Sequence, residues 1–207
     1  MKVGILALQG AVREHREVLD ALGVDAVEVR VPEQLDALDA LILPGGESTT
    51  MSRLLDTSGL RAPLGERLRD GLPVFGTCAG MILLATEVVD GRPDQQSFGL
   101  VDVSVRRNAY GRQRASFETP LDLGGLDGRA PDGARLAEHG LAGGRFPGVF
   151  IRAPRIERVG VAVEVLVEHD GHPVLARQGG AVVASFHPEL SGDLRLHEWF
   201  LRESETR

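Results

Sequence analysis

Cysteine occurs once in the 207 residues, at Cys78, within Val74-Phe75-Gly76-Thr77-Cys78-Ala79-Gly80-Met81-Ile82-Leu83-Leu84. A side chain placed between two glycines, after one apolar run and before another, has the layout of a nucleophile elbow with cysteine in place of serine. Glycine at 76 and 80 would let a strand and a helix pass without a Cβ clash. The first N–H groups of the helix would face the thiol, favouring its thiolate and any oxyanion that develops beside it. The alternative is that Cys78 is a small core hydrophobe, as free cysteine often is.

A cysteine nucleophile needs a base and a group to orient that base. Of the six histidines, His187 is the best placed, because it follows an apolar run over 181–186 as Cys78 follows its own. Glu189, two residues on, would lie on the same side of an extended segment. The alternative is that His187-Pro188-Glu189 is only a turn, with Pro188 ending a strand. His15, His139, His169, His172 and His197 fall on helical or polar turn-like segments and are expected to be solvated. None of them has ligand spacing with the cysteine, so no metal site is expected. The Gly45-Gly46 pair can present backbone N–H groups to an anion. With the N–H of Ala79, that of Gly46 would make an oxyanion hole; the alternative is an ordinary strand-to-helix turn.

The elements around these residues alternate. Apolar runs at 3–8, 24–31, 40–43 and 74–77 read as buried strands. Between them lie a helix over 12–22, with Val12, His15, Val18, Leu19 and Leu22 on one side and Gly23 as its cap, a short turn of helix at 35–38, a helix capped by Ser48 or Thr49, and a further helix over 60–70. Such alternation implies a mainly parallel sheet with helices on both faces, an α/β three-layer sandwich whose working loops lie at the carboxyl ends of the strands. The second half differs: 100–107, 116–119 and 149–151 read as strands, and 161–167, 174–177 and 181–186 as an antiparallel strand extension turning at Asp170-Gly171 and Gly179-Gly180. A closing helix is expected over 194–201. Residues 121–146, rich in Gly, Asp and Ala, read as a surface excursion of a single domain spanning 1–207.

Composition narrows the function classes. The formal net charge is −7, and the Arg106-Arg107 and Arg112–Arg114 cluster is too small to offset it, which argues against nucleic-acid binding. One cysteine forms no internal disulfide and fits a reducing cytoplasm. The apolar stretch over 1–8 is too short for a signal peptide or a membrane span.

Gly76-Thr77-Cys78-Ala79-Gly80 with the late His187-Pro188-Glu189 resembles the class I, triad-type glutamine amidotransferases. Leu8-Gln9-Gly10, Pro44-Gly45-Gly46-Glu47-Ser48-Thr49, Arg107-Asn108-Ala109-Tyr110-Gly111-Arg112-Gln113, Phe150-Ile151-Arg152-Ala153-Pro154 and Phe186-His187-Pro188-Glu189-Leu190 together resemble one subfamily, the glutaminase subunits of pyridoxal 5′-phosphate synthases. The excursion over 121–146 looks longer than that subfamily usually has. The resemblance implies hydrolysis of L-glutamine to glutamate and ammonia, with no cofactor, and transfer of the ammonia to a separate synthase subunit. It implies that Cys78 forms a γ-glutamyl thioester, that His187 moves the proton and that Glu189 orients His187. It places the glutamine contacts on Gly46, Glu47, Ser48, Arg107, Ile151 and Arg152; guanidinium groups suit the substrate's α-carboxylate. Arg152 has a second possible role, salt-linked support of the Glu47 loop. Gln9-Gly10 and the helix after them are the expected docking face for the partner. The rival readings are a glutaminase of another pathway, a non-catalytic regulatory module on the same fold and a cysteine peptidase.

Overall fold

The computed structural model describes residues 1–107, 109, 116–123, 126 and 145–206. Its main sheet has seven strands in the order β10-β11-β12-β4-β3-β1-β2. These are β1 (Lys2–Leu6), β2 (Asp25–Val29), β3 (Ala40–Leu43), β4 (Val74–Thr77), β10 (Glu164–His169), β11 (His172–Gln178) and β12 (Ala181–Ala184). From β12 to β2 the neighbours are parallel; β11 and β10 extend the sheet antiparallel beyond β12.

The apolar runs are buried on both faces. Val3, Ile5, Ala40, Ile42, Phe75 and Val182 enter one core, whereas Leu6, Leu41, Leu43, Val74 and Val183 enter the other. Helices α1 (Val12–Ala21) and α5 (Arg195–Glu205) close the first face with Leu19, Leu196, Trp199 and Phe200. Helices α2 (Ser48–Thr57), α3 (Arg61–Arg69) and α4 (Ala79–Leu84) close the second with Met51, Leu55, Leu64, Leu68 and Leu83. The outcome is the three-layer α/β arrangement that the alternation implies. Among the described residues no helix is long and apolar enough to cross a membrane.

Several boundaries differ from the expectation. Strand β1 stops at Leu6, with the Ala7 N–H still donating to Val29 O at 2.9 Å, so residues 8–10 leave the ladder and Gln9 and Gly10 reach the site. The 3₁₀ turn covers Pro32–Leu35, not 35–38, because Gln34 Oε1 accepts the N–H groups of Arg30 and Val31 at 2.7 and 3.1 Å and folds the chain back early. Helix α2 is capped by Glu47, not by Ser48 or Thr49; its carboxylate accepts from the N–H groups of Thr49 and Thr50. A second sheet, β5 (Ala85–Val88), β6 (Val101–Arg106) and β9 (Arg155–Val159), packs Ala85, Val101, Val103, Val105 and Ile156 into the α2–α4 core. Its β5 and β9 are short, half-polar strands without a clean period. Strands β7 (Ser116–Asp122) and β8 (Arg145–Ile151) pair antiparallel along their whole length. Leu121, Leu123, Leu126 and Phe146 are buried in the α1–α5 core, so both ends of the presumed excursion are structural. Residues 124–125 and 127–144 lie outside the described residues.

Candidate active site

The loops after β1, β3, β4 and β12 meet at one edge, because those strands are neighbours in the order β12-β4-β3-β1. With the ends of β6 and β8 they line a cleft of about 280 Å³ that includes Gln9, Gly45, Gly46, Glu47, Ser48, Cys78, Arg107, Ile151, Arg152 and His187. Every side chain expected to act on glutamine is therefore at this edge except Glu189, which stands behind His187, and Ala79, expected to act through its backbone, which follows Cys78.

Cys78 sits between β4 and α4 with φ 48° and ψ −100°, a backbone that L-residues seldom adopt. Its N–H donates to Ala184 O at 2.8 Å, tying the elbow to β12. The flanking glycines are required by contact. A Cβ at Gly80 would stand 2.0 Å from Leu43 O, and one at Gly76 would stand 2.8 Å from Gly80 C and O. Cys78 is 7% exposed, in keeping with a residue reached only from the cleft.

His187 follows β12, and its backbone N–H donates to Val149 O at 2.8 Å, which binds the site to β8. Its Nδ1–H donates to Glu189 Oε1 at 2.7 Å; an ionised carboxylate only accepts, so this contact fixes the tautomer and leaves Nε2 for the thiol. Burial alone would lower the imidazole's pKa. Interaction with the Cys78 side chain and the Glu189 carboxylate outweighs it and raises the pKa from 6.5 to about 10. The bare Cα of Gly45 makes room for the ring, since a Cβ there would lie 2.3 Å from His187 Cε1.

Across the cleft Glu47 is held by four hydrogen bonds, from the N–H and hydroxyl groups of Thr49 and Thr50. Partial burial pushes its pKa up, but these bonds win and bring it down to about 2. The Glu47 N–H donates to Gln9 Oε1 at 2.8 Å. Arg107 Nη2 donates to Glu47 Oε1 at 3.0 Å and Nη1 to Gln95 Oε1 at 3.1 Å, while Gln95 Nε2 donates to Ser48 Oγ at 3.1 Å. Arg107, not Arg152, thus braces the Glu47 loop. Arg152 is exposed, has φ 44° and makes no ion pair among the described residues. The loop after β3 is tied to the first helix, as Ala11 N–H donates to Gly45 O at 2.9 Å.

Two histidines expected to be solvated are fully buried. His15 Nδ1 and His197 Nε2 are 2.9 Å apart, and His15 Nε2 is 3.3 Å from Thr77 Oγ1. Desolvation is the largest cause in both, lowering His197 to about 3 and His15 well below 6.5, so both rings are neutral. His15 lies in the helical stripe with Val18 and Leu19, which is the signal of burial that its residue type concealed. Gln95 is a contact that no motif or spacing singles out. His139 and most of the Arg107–Gln113 stretch lie outside the described residues.

A thiol on a strained strand-to-helix turn, a protonated imidazole beside it and a carboxylate behind the imidazole, all at the carboxyl edge of a doubly wound sheet, define an α/β enzyme of the cysteine-triad class. Residues 5–206 match the model of the SNO glutamine amidotransferase family. The chain belongs to that family. It is 54% identical over 199 residues to a Mycobacteroides abscessus protein named pyridoxal 5′-phosphate synthase subunit PdxT, covering 96% of this chain and 95% of that one. A Salinispora arenicola protein of the same name is 52% identical over 203 residues, covering 96% and 94%. A crystal structure described as a glutamine amidotransferase superposes with a TM-score of 0.85 at 48% identity, covering 98% of both chains.

Proposed function

We propose that this chain is the glutaminase subunit of a pyridoxal 5′-phosphate synthase, a single domain over 1–207 that hydrolyses L-glutamine and supplies the ammonia to a synthase subunit. The observation that carries this is the contact of His187 with both Cys78 and Glu189 at the cleft where Arg107 and Arg152 converge. The relatives' names supply the pathway.

The chemistry follows from the side chains and water. Cys78 Sγ, as thiolate, attacks Cδ of the glutamine side chain, and the carbonyl electron pair moves onto oxygen. The N–H groups of Gly46 and Ala79 receive that oxyanion. His187 carries its proton at neutral pH, on the Nε2 that faces sulfur, and delivers it to the amide nitrogen as the C–N bond breaks and ammonia leaves. A γ-glutamyl thioester remains. The ring, now neutral, takes a proton from water; hydroxide adds to the thioester, and glutamate leaves as the thiolate re-forms. Glu189 keeps Nδ1–H donated to itself throughout and offsets the imidazolium charge. Arg152, free of ion pairs among the described residues, takes the α-carboxylate, with Arg107 beside it; Glu47, Ser48 and Ile151 complete the substrate's seat.

The test is coupled turnover. With synthase subunit and phosphosugar substrates, glutamine should yield glutamate and pyridoxal 5′-phosphate together. Glutamate formation without any pyridoxal 5′-phosphate, in a mixture that makes it from ammonium salts, would move the chain to another pathway's glutaminase.

A further inference from the structure

The triad carboxylate is only half used by His187. Glu189 is buried; Oε1 takes the His187 proton, and Oε2 has no hydrogen-bond partner within ordinary reach among the described residues. An orphaned carboxylate oxygen is costly in such a place and leaves the carboxylate free to turn about its last torsion. A group able to donate to it, His15 Nε2, lies 3.5 Å away on the buried face of α1. The same nitrogen is 3.3 Å from Thr77 Oγ1, one residue before the nucleophile.

The tautomers are determined by what each ring faces. With His15 neutral, its one proton sits on Nε2 or on Nδ1. On Nδ1 it would leave the Nε2 lone pair to accept only from the Thr77 hydroxyl at 3.3 Å, with the buried Glu189 carboxylate 3.5 Å away, two negative ends together. On Nε2 it reaches Thr77 Oγ1 at 3.3 Å and sets a positive hydrogen beside the negative Glu189 Oε2, 3.5 Å from the nitrogen, and Nδ1 becomes an acceptor. His197 Nε2–H then donates to it across 2.9 Å, and His197 Nδ1 is left bare. A bare ring nitrogen is the milder orphan, and His197 Nδ1 is indeed without a partner among the described residues.

We infer that His15 is a positioning residue of the glutaminase site, its Nε2–H bracing the second oxygen of Glu189 and its own ring held by the Nε2–H of His197. The chain of groups runs His197 (α5), His15 (α1), Glu189, His187 and Cys78 (the end of β4), so two helices on the far side of the sheet fix the orienter of the base. Its consequence is a Glu189 that cannot turn away while His187 alternates between protonated and neutral. The inference rests on the glutaminase reading above.

The direct test is the ¹⁵N and ¹H spectrum of the histidine-labelled wild-type chain. His15 and His197 should both be neutral Nε2–H tautomers, and an Nδ1–H tautomer at His15 would overturn the proposal whatever the activity. The functional test compares His15→Leu with His15→Gln, whose amide can restore a donor where Nε2 stands, in glutamine turnover with saturating synthase subunit. The Leu variant should lose about 10- to 100-fold in kcat, the weight of one hydrogen bond to a charged group. KM should stay within a small factor, and the Gln variant should recover most of the loss. A third readout needs neither substrate nor partner: alkylation of Cys78, the sole cysteine, by iodoacetamide should slow in the Leu variant and recover in the Gln variant. Equal kcat and alkylation rates in wild type and the Leu variant, or equal losses in both variants, would overturn the role. Wild-type chain that failed to hydrolyse glutamine with its partner would instead overturn the glutaminase reading and leave the tautomer result standing.

Discussion

Cys78 carries a backbone strain of about 1–3 kcal/mol for its positive φ, a cost tolerated because the turn aims the thiol at His187. Cys78→Gly should therefore unfold at a higher denaturant midpoint than Cys78→Ala although neither turns over glutamine; the opposite order would show the turn is unstrained. His187 titrates near 10 and must be protonated to expel ammonia, so turnover limited by acylation should hold through neutral pH and fall as pH passes about 10. Glu189→Gln removes a negative charge that supports the imidazolium, so the alkaline limb should move to lower pH and kcat should drop while KM changes little. An unmoved limb with a raised KM would make Glu189 a binding residue. Arg152→Ala should raise KM by the worth of a charge-assisted hydrogen bond, about 1.5–3 kcal/mol, with kcat nearly kept. Arg107→Ala also frees Glu47 and Gln95, so both constants should change. Identical profiles for the two variants would remove that distinction.

The elements that carry the site were the most legible part of the sequence. β3 falls on the predicted residues, β4 and the elbow follow from one apolar run and two glycines, and the Asp170-Gly171 turn has the two positive φ values its type demands. Capping was less legible: Glu47 at the α2 terminus competes with Ser48 and Thr49, and only the fold shows its carboxylate reaching back over the first turn. Burial of His15 was half legible, from its place in the apolar stripe of α1, but its residue type read as solvated because the ring that partners it, His197, is 182 residues away. These two rings make stability pH-dependent with a definite sign. Their folded pKa values lie below 6.5, so above 6.5 their contribution is complete; as pH falls below 6.5 the unfolded chain binds protons that the fold rejects and stability is lost, for His197 down to about 3. The urea midpoint should drop between neutrality and pH 5, and less so in His197→Phe; an equal drop would assign the acid sensitivity elsewhere. His187 acts in the other direction, contributing fully below 6.5 and losing that contribution as pH rises through about 10.

At the scale of the whole molecule, one sheet edge joins α1, the Gly45-Gly46 loop, the elbow and the His187 segment. The Ala11 N–H to Gly45 O bond links the first turn of α1 to the peptide whose N–H, at Gly46, is assigned to the oxyanion. A partner seated on Gln9-Gly10 and α1 would act on that peptide directly, and one oxyanion donor is commonly worth roughly 10²–10³ in turnover. Saturating synthase subunit should therefore raise kcat by up to that scale with a smaller change in KM. Equal rates with and without it would make the chain a free-standing amidohydrolase. The most direct measurement of all is ammonia release from glutamine by the wild-type chain and by Cys78→Ala, each with saturating synthase subunit. A loss on the order of 10⁴-fold or more is expected in a variant that melts like the wild type; release by Cys78→Ala at a rate comparable to wild type would contradict the thiol mechanism.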